Sequence, residues 1–295
     1  MTSHDPKLTA RGRVGTLLRK HGLSADKGFG QNFLVDEAAL RAIVAAADIE
    51  PGNAVFEVGP GLGVLTRALA ERGAAVVTVE LDRRLLPLLQ ETLADVMAKS
   101  GAGSVRLVHG DATTYDLETL PTGGLLVANL PYNVATAVVA RALASRRFRR
   151  LVFLVQREVA ERMVARPSAP AYGALSLLVA HYGRARIVRD VPPGAFLPPP
   201  KVTSSVVRID VDEGAAPDPE LFALIHQGFA HRRKTLLRNL VYAGYGKDVA
   251  ADALARLGLD PRVRAEALDL VNFRQLRDVL GASGPHAAEG ASILP

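Results

Sequence analysis

Four consecutive residues, Asn129-Leu130-Pro131-Tyr132, carry the sharpest chemical signal in the sequence. They follow the apolar run LLVAN at 125–129, so they stand at the carboxyl end of a strand-like segment. The exocyclic amine of a purine is a poor nucleophile, because its lone pair is delocalised into the ring. Two acceptors on its N–H bonds, the Asn129 side chain and the Leu130 carbonyl, would draw the nitrogen toward tetrahedral geometry and aim that lone pair at a methyl donor. Pro131 fixes the backbone that points the carbonyl into the site, and Tyr132 offers a face on which a base can stack. No general base is required before attack, since the alkylated nitrogen loses its proton to water afterwards. Positioning and desolvation would then carry catalysis, with an upper reach of roughly 7–11 kcal/mol. A plain tight turn after a strand is the competing reading of the same four residues.

A base inside a helix cannot reach such a pocket, so the target must be unpaired or flipped out. Phe196 sits in the proline-rich loop PPGAFLPPPKVT, which its prolines stiffen. Two placements are open to it: a second stacking surface that sandwiches the base against Tyr132, or a plug in the core. A methyl donor needs its own site. In AVFEVGPGLGVLTRALA a strand, a turn and a helix follow one another, with Gly59, Gly61 and Gly63 two apart and Glu57 ahead of them. The dinucleotide fingerprint requires G-x-G-x-x-G. The G-x-G-x-G found here favours S-adenosylmethionine, which needs no pyrophosphate cradle. Glu80 ends the next strand, 21 residues beyond Gly59, where a carboxylate accepts hydrogen bonds from both ribose hydroxyls. Asp111 ends the third strand, near where the adenine would lie.

These residues must be held by a sheet. Short apolar runs at 54–58, 75–80, 105–111, 125–129 and 151–156 alternate with helical stretches, the pattern of a doubly wound α/β sheet of Rossmann-like, methyltransferase type. Asp36 is the predicted N-cap of a helix with Leu40, Ile43, Val44 and Ala47 on one face. Two further strand-like runs, ARIVRDV and SSVVRIDV, flank the proline-rich loop. Beyond the linker DEGAAPDP only amphipathic helical patterns follow. The predicted organisation is an N-terminal segment 1–35 that completes the cofactor and RNA site, a catalytic domain 36–213, a small helical RNA-binding domain 219–281, and a disordered tail 282–295.

Composition narrows the function. With 295 residues, 48% hydrophobic and 22% charged, the chain is globular, and without cysteine it has no disulfide, thiolate metal site or cysteine nucleophile. No apolar run approaches the ~18 residues of a spanning helix, and MTSHDPKLTARGR lacks the apolar core of a signal peptide, so a cytoplasmic protein is expected. His226 and His231, five apart, do not share a helical face, and no catalytic metal is expected. The net charge of +6 is unevenly spread. Between Thr119 and Arg189 eleven arginines face only Glu158 and Glu161, and Arg232, Arg233, Lys234 and Arg238 form a second basic cluster. Arg146, Arg147 and Arg149 together with this second cluster are the predicted RNA contacts, forming a face around the methyl-transfer pocket. A solvated surface in an arginine-rich protein is the alternative.

Eight motifs in order, GQNFLVD, EVGPGLGVLT, NLPYN, VQREVAERM, YGALSLL, FLPPPKVTSSVV, HRRKTLLRNL and RAEALDL, make the chain resemble the KsgA/RsmA-type ribosomal RNA adenine N6-dimethyltransferases from about Lys27 to Leu280. The resemblance implies two methyl groups on each of two adjacent adenosines in the 3′-terminal hairpin of 16S ribosomal RNA, within the assembling small subunit. A monomer bound to neither membrane nor metal is expected. It implies cofactor contacts at Asn32, Leu34, Gly59, Gly61, Glu80, Asp111 and Asn129; Asn32 comes from the resemblance alone. Two departures stand out. Only Lys27 supplies a basic residue just ahead of GQNF, and Val134-Ala135-Thr136-Ala137 replaces the usual Ile-Ser-(Ser/Thr)-Pro. An Erm-like methylase of 23S ribosomal RNA shares the glycine and NLPY motifs, but HRRKTLLRNL and RAEALDL favour the small-subunit group. An assembly factor that uses the fold only to bind RNA would have no need of Asn129, Pro131 and Tyr132.

Overall fold

The computed structural model describes residues 8–26, 28 and 30–281. Lys27 and the tail 282–295 lie outside them. Contacts divide the chain into two units, one of residues 1–160 and 185–213, the other of 161–184 and 214–295.

In the larger unit, five apolar runs become the parallel strands β2 (Ala54–Val58), β3 (Ala75–Glu80), β4 (Val105–His109), β5 (Gly124–Asn129) and β6 (Phe148–Gln156). β1 (Phe33–Leu34) and β8 (Phe196–Leu197) form a separate antiparallel pair. β7 (Gly183–Val191) and β9 (Ser204–Val211) complete the main sheet, in the order β4-β3-β2-β5-β6-β9-β7, with β9 antiparallel to β6. Helices on both faces explain why β5 and β6 read as continuous apolar runs: Leu125 to Ala128 and Leu151 to Val155 are all inaccessible to solvent.

The helices of this unit are α1 (Arg11–Lys20), α2 (Glu37–Ala47), α3 (Val64–Glu71), α4 (Leu86–Thr92), α5 (Ala94–Met97) and α6 (Ala135–Ser145); α7 (Arg157–Val164) carries the chain toward the second unit. Asp36 caps α2 as predicted, its Oδ1 accepting from the Ala39 amide at 2.6 Å. Ile43, Val44 and Ala47 are buried beneath it, and Leu40 packs partly buried against the same core. α6 has no side-chain cap, since Val134 stands at its N-cap. The Pro131 carbonyl instead accepts from the Val134 amide at 3.2 Å, anchoring the helix start to the NLPY turn.

The smaller unit is helical: α8 (Ala174–Tyr182), α9 (Pro219–Phe229), α10 (Leu236–Tyr242), α11 (Lys247–Arg256) and α12 (Leu270–Leu280). Its core is aromatic, with Tyr182 stacked on Phe222 and Phe229 on Phe273. Here the structure differs from the contiguous division at residue 213. Residues 161–184 belong with the carboxyl-terminal helices, because ALSLLVAHY is a nearly all-buried helix rather than part of the sheet layer. Tyr172 donates to the Leu268 carbonyl at 2.8 Å, and the Ser168 amide to the Glu266 carbonyl at 2.7 Å. The motifs YGALSLL and RAEALDL thus meet in one small core.

Candidate active site

β2 has β3 on one side and β5 on the other, so the strand order reverses between them and opens a crevice at their carboxyl ends. A cavity there is lined from β2 and its turn by residues 57–62, from β3 by Glu80 and Leu81, from β4 by residues 110–113, from β5 by residues 129–134, and by residues 30–34. It brings together Asn32, Leu34, Gly59, Gly61, Glu80, Asp111, Asn129, Leu130, Pro131 and Tyr132, ten of the residues singled out from the sequence.

The glycine turn has the left-handed backbone that glycine tolerates, with φ of +67° at Gly59 and +58° at Gly61. A Cβ at Gly61 would lie 3.1 Å from the Phe33 ring, so the turn is also too tight for a side chain. Glu80 is buried beside it, and burial pushes its pKa up to about 7 against the pull of backbone amides from Asp82, Gly61 and Leu81. The Asp82 amide reaches Glu80 Oε1 at 2.8 Å. Glu57 is deeper still: burial raises its pKa to about 7, and Thr66 donates to it at 2.6 Å. Asp111 lies two residues past the end of β4 and caps the following turn, Oδ1 accepting from the Thr113 amide at 2.8 Å and its hydroxyl at 2.7 Å.

The NLPY turn is held from three sides. Asn129 Nδ2 donates to the Asn32 carbonyl at 3.1 Å, which commits the amide nitrogen and leaves Oδ1 as the free acceptor. The Leu130 amide donates to the Leu154 carbonyl of β6 at 3.2 Å, while among the described residues nothing donates to the Leu130 carbonyl. The Tyr132 hydroxyl lies 2.6 Å from Ser204 Oγ, the fully buried first residue of β9. Burial raises the phenol's pKa, so the hydroxyl stays protonated and the ring is fixed at both ends.

Gly28 and residues 30–34 line this cavity as a strap. Gln31 accepts from the Asp26 amide at 2.9 Å and donates to Asp82 at 2.8 Å, and Arg84 bridges Asp82 and Asp26, both at 2.8 Å. The Arg84 guanidinium holds both carboxyls below their usual range. Asp26, Gln31, Asp82 and Arg84 were not legible in the sequence, since none stands in a spacing that marks it. Leu81 was also missed, although an apolar residue directly after the acid that ends the second strand is a signal the sequence holds.

Two expectations need correction. Phe196 is fully buried in the main core, paired with Leu34 across the β1–β8 ribbon, and offers no face to a base. It is the core plug. Arg146, Arg147 and Arg149 do not surround the pocket. They lie at the amino end of β6, where Phe148 pairs with Gly124, whereas Asn129 pairs with Leu154. That is about five strand residues, roughly 17 Å, from the carboxyl edge. Arg146 donates to the Glu213 carbonyl and Arg149 to Asn53, each at 3.0 Å, and Arg147 pairs with Glu118. Flanking a motif in sequence does not place a residue beside it when an intervening helix carries the chain across the sheet.

The family profile described as "Ribosomal RNA adenine dimethylase" matches residues 22–276. The chain belongs to the ribosomal RNA adenine dimethylase family. Its curated relatives include the "Ribosomal RNA small subunit methyltransferase A" of Deinococcus radiodurans, 45% identical over 91% of this chain and 90% of that protein. The protein of the same name from Moorella thermoacetica is 40% identical, covering 91% and 97%. Among solved structures, a dimethyladenosine transferase from Plasmodium falciparum superposes with a TM-score of 0.71 at 26% identity, over 84% of this chain and 97% of that one. The 23S rRNA methyltransferase ErmE superposes at 0.64 and 24% identity over 84% and 99%, a likeness of fold. As a member of this adenine dimethylase family the protein is a methyltransferase. Asn129 and Leu130 both line its cavity.

In the smaller unit, the basic cluster is exposed. Arg232 donates to the Pro170 carbonyl at 2.9 Å and Arg238 to the Tyr242 hydroxyl at 3.1 Å, while Arg233 and Lys234 have no ion-pair partner among the described residues. No cluster of three metal-ligating side chains occurs among the described residues, and no helix there is long and apolar enough to cross a membrane.

Proposed function

We propose that the protein is a cytoplasmic, S-adenosylmethionine-dependent enzyme that dimethylates N6 of two adjacent adenosines in the 3′-terminal hairpin of 16S ribosomal RNA, during assembly of the small subunit. The observation that carries the chemistry is the Asn129 amide, whose nitrogen is committed to the Asn32 carbonyl, in a residue that lines the cavity together with Leu130. The choice of RNA is supported by the relatives named for the small subunit, which match along the smaller unit as well.

The crevice fits the cofactor. The Gly59–Gly61 turn makes a cradle that a side chain would fill, and Glu80 is a buried carboxylate of the kind that accepts from two vicinal hydroxyls. Asp111 and Leu81 would border the adenine, and Asn32 and Leu34 would close the strap side. When bound, S-adenosylmethionine supplies an electrophilic methyl group. The protein's residues do the rest by position. Asn129 Oδ1 and the Leu130 carbonyl accept the two N–H bonds of the adenine amine and turn its lone pair out of conjugation. Tyr132, tethered by Ser204, supplies the surface against which an unpaired base lies flat. Water takes the proton the amine releases, and the site needs no base.

Asn129→Ala tests this assignment. The variant should lose at least about a hundredfold in methyl transfer to immature small subunits and still bind them within about twofold of wild type. Substantial residual turnover would remove Asn129 from the mechanism.

A further inference from the structure

Tyr242 ends α10 with 53% of its surface in solvent, an unusual exposure for a large ring on a helix. It is nevertheless held in place. One turn earlier on the same helix, Arg238 donates to the phenol oxygen at 3.1 Å and sets its guanidinium 5.5 Å from the ring centroid. The His231 imidazole meets the ring edge-on, with centroids 5.3 Å apart at 81°. Asn239, buried inside the turn, donates to the carbonyls of Gly228 and His231, so the HRRK turn and α10 are locked together. The result is a rigid aromatic surface within a group of cations, two of which, Arg233 and Lys234, carry no ion pair among the described residues.

We propose that Tyr242, braced by Arg238 and His231, is a stacking platform for an unpaired nucleobase of the RNA substrate, with Arg233 and Lys234 taking the flanking phosphates. The inference rests on the RNA-modifying function proposed above and assigns one contact of the smaller unit. A rim of Arg232, Arg233, Lys234 and Arg238, with no carboxylate among residues 231–239, suits a polyanion. Base stacking on a tyrosine needs no particular base, because every base has a π face. A ring already fixed by two neighbours loses little freedom on binding, and the adjoining guanidinium adds a cation–π contribution.

The test compares the full-length protein with Tyr242→Ala, Tyr242→Phe and the double variant Arg233→Ala/Lys234→Ala, each binding small subunits that carry unmodified RNA over a range of salt. Tyr242→Ala should bind about tenfold more weakly with an unchanged slope against salt, because no phosphate contact is lost. Tyr242→Phe should keep wild-type affinity, and the double variant should flatten the slope. Photocrosslinking of thiouridine-substituted RNA to the wild-type protein should mark Tyr242, a readout independent of how any variant folds. Wild-type affinity in Tyr242→Ala, or no crosslink at Tyr242, overturns the platform while leaving the methylase reading intact. A wild-type protein that neither binds nor methylates these particles overturns both.

Discussion

Glu80 is protonated more readily in the fold than in a free chain, because burial raises its pKa to about 7. Only the carboxylate accepts from two ribose hydroxyls, so cofactor affinity should be full above pH 7 and fall as the pH drops through it. Calorimetric titration with S-adenosylhomocysteine from pH 5.5 to 8.5 should show that loss, and Glu80→Gln should bind weakly with a nearly flat profile. A wild-type affinity independent of pH over this range would contradict the role. At this scale the sequence was informative where chemistry sits on consecutive residues. Asn129 to Tyr132 share one turn, so their types alone suggest the methyl-acceptor site proposed here. The Asn32 carbonyl that orients Asn129 is 97 residues away and presents only backbone, and no side-chain pattern announces it. Phe196 shows the reverse: an aromatic in a proline-rich loop reads as a stacking surface before it reads as a core plug, and only its burial separates the two.

The strands of the main sheet were legible because burial on both faces demands unbroken apolar runs, and the end of each strand could be placed to within a few residues. The elements that escaped are short or borrowed. β1 and β8 are two residues each, too brief for a period to register, yet their pairing lays the strap across the cavity. The strap is pinned through Arg84 to Asp82 and Asp26. Arg84 is half exposed, so its pairs are screened by solvent and add little to stability. Arg84→Ala should therefore leave the unfolding temperature nearly unchanged. It should speed amide exchange at Gln31, which donates to the Asp26 carbonyl, by about three- to tenfold, with β2 and β5 unaffected. Unchanged exchange at Gln31 would mean that the strap is held without Arg84, by the Gln31 side chain and β1–β8 pairing.

The molecule as a whole divides its charge in a way that counting along the chain misplaces. Many of the arginines between residues 141 and 150 brace the amino edge of the sheet: Arg150 with Asp48 and Asp210, Arg147 with Glu118, Arg149 with Asn53. They read as a basic patch because their partners lie 29 to 102 positions distant, beyond any local pattern. The HRRK turn of the smaller unit keeps its cations exposed, as both an RNA contact and a solvated surface would require. The unit itself is discontinuous, which a linear reading could not show, because residues 161–184 carry no boundary signal before they rejoin the later helices.

The most direct measurement offers purified protein and methyl-labelled S-adenosylmethionine two substrates side by side: small subunits with unmodified 16S RNA, and protein-free 23S RNA. Digestion and mass spectrometry then locate the label. The prediction is N6,N6-dimethyladenosine at two adjacent positions of the 16S 3′-terminal hairpin, and none in the 23S RNA. Label confined to the 23S RNA would contradict the account.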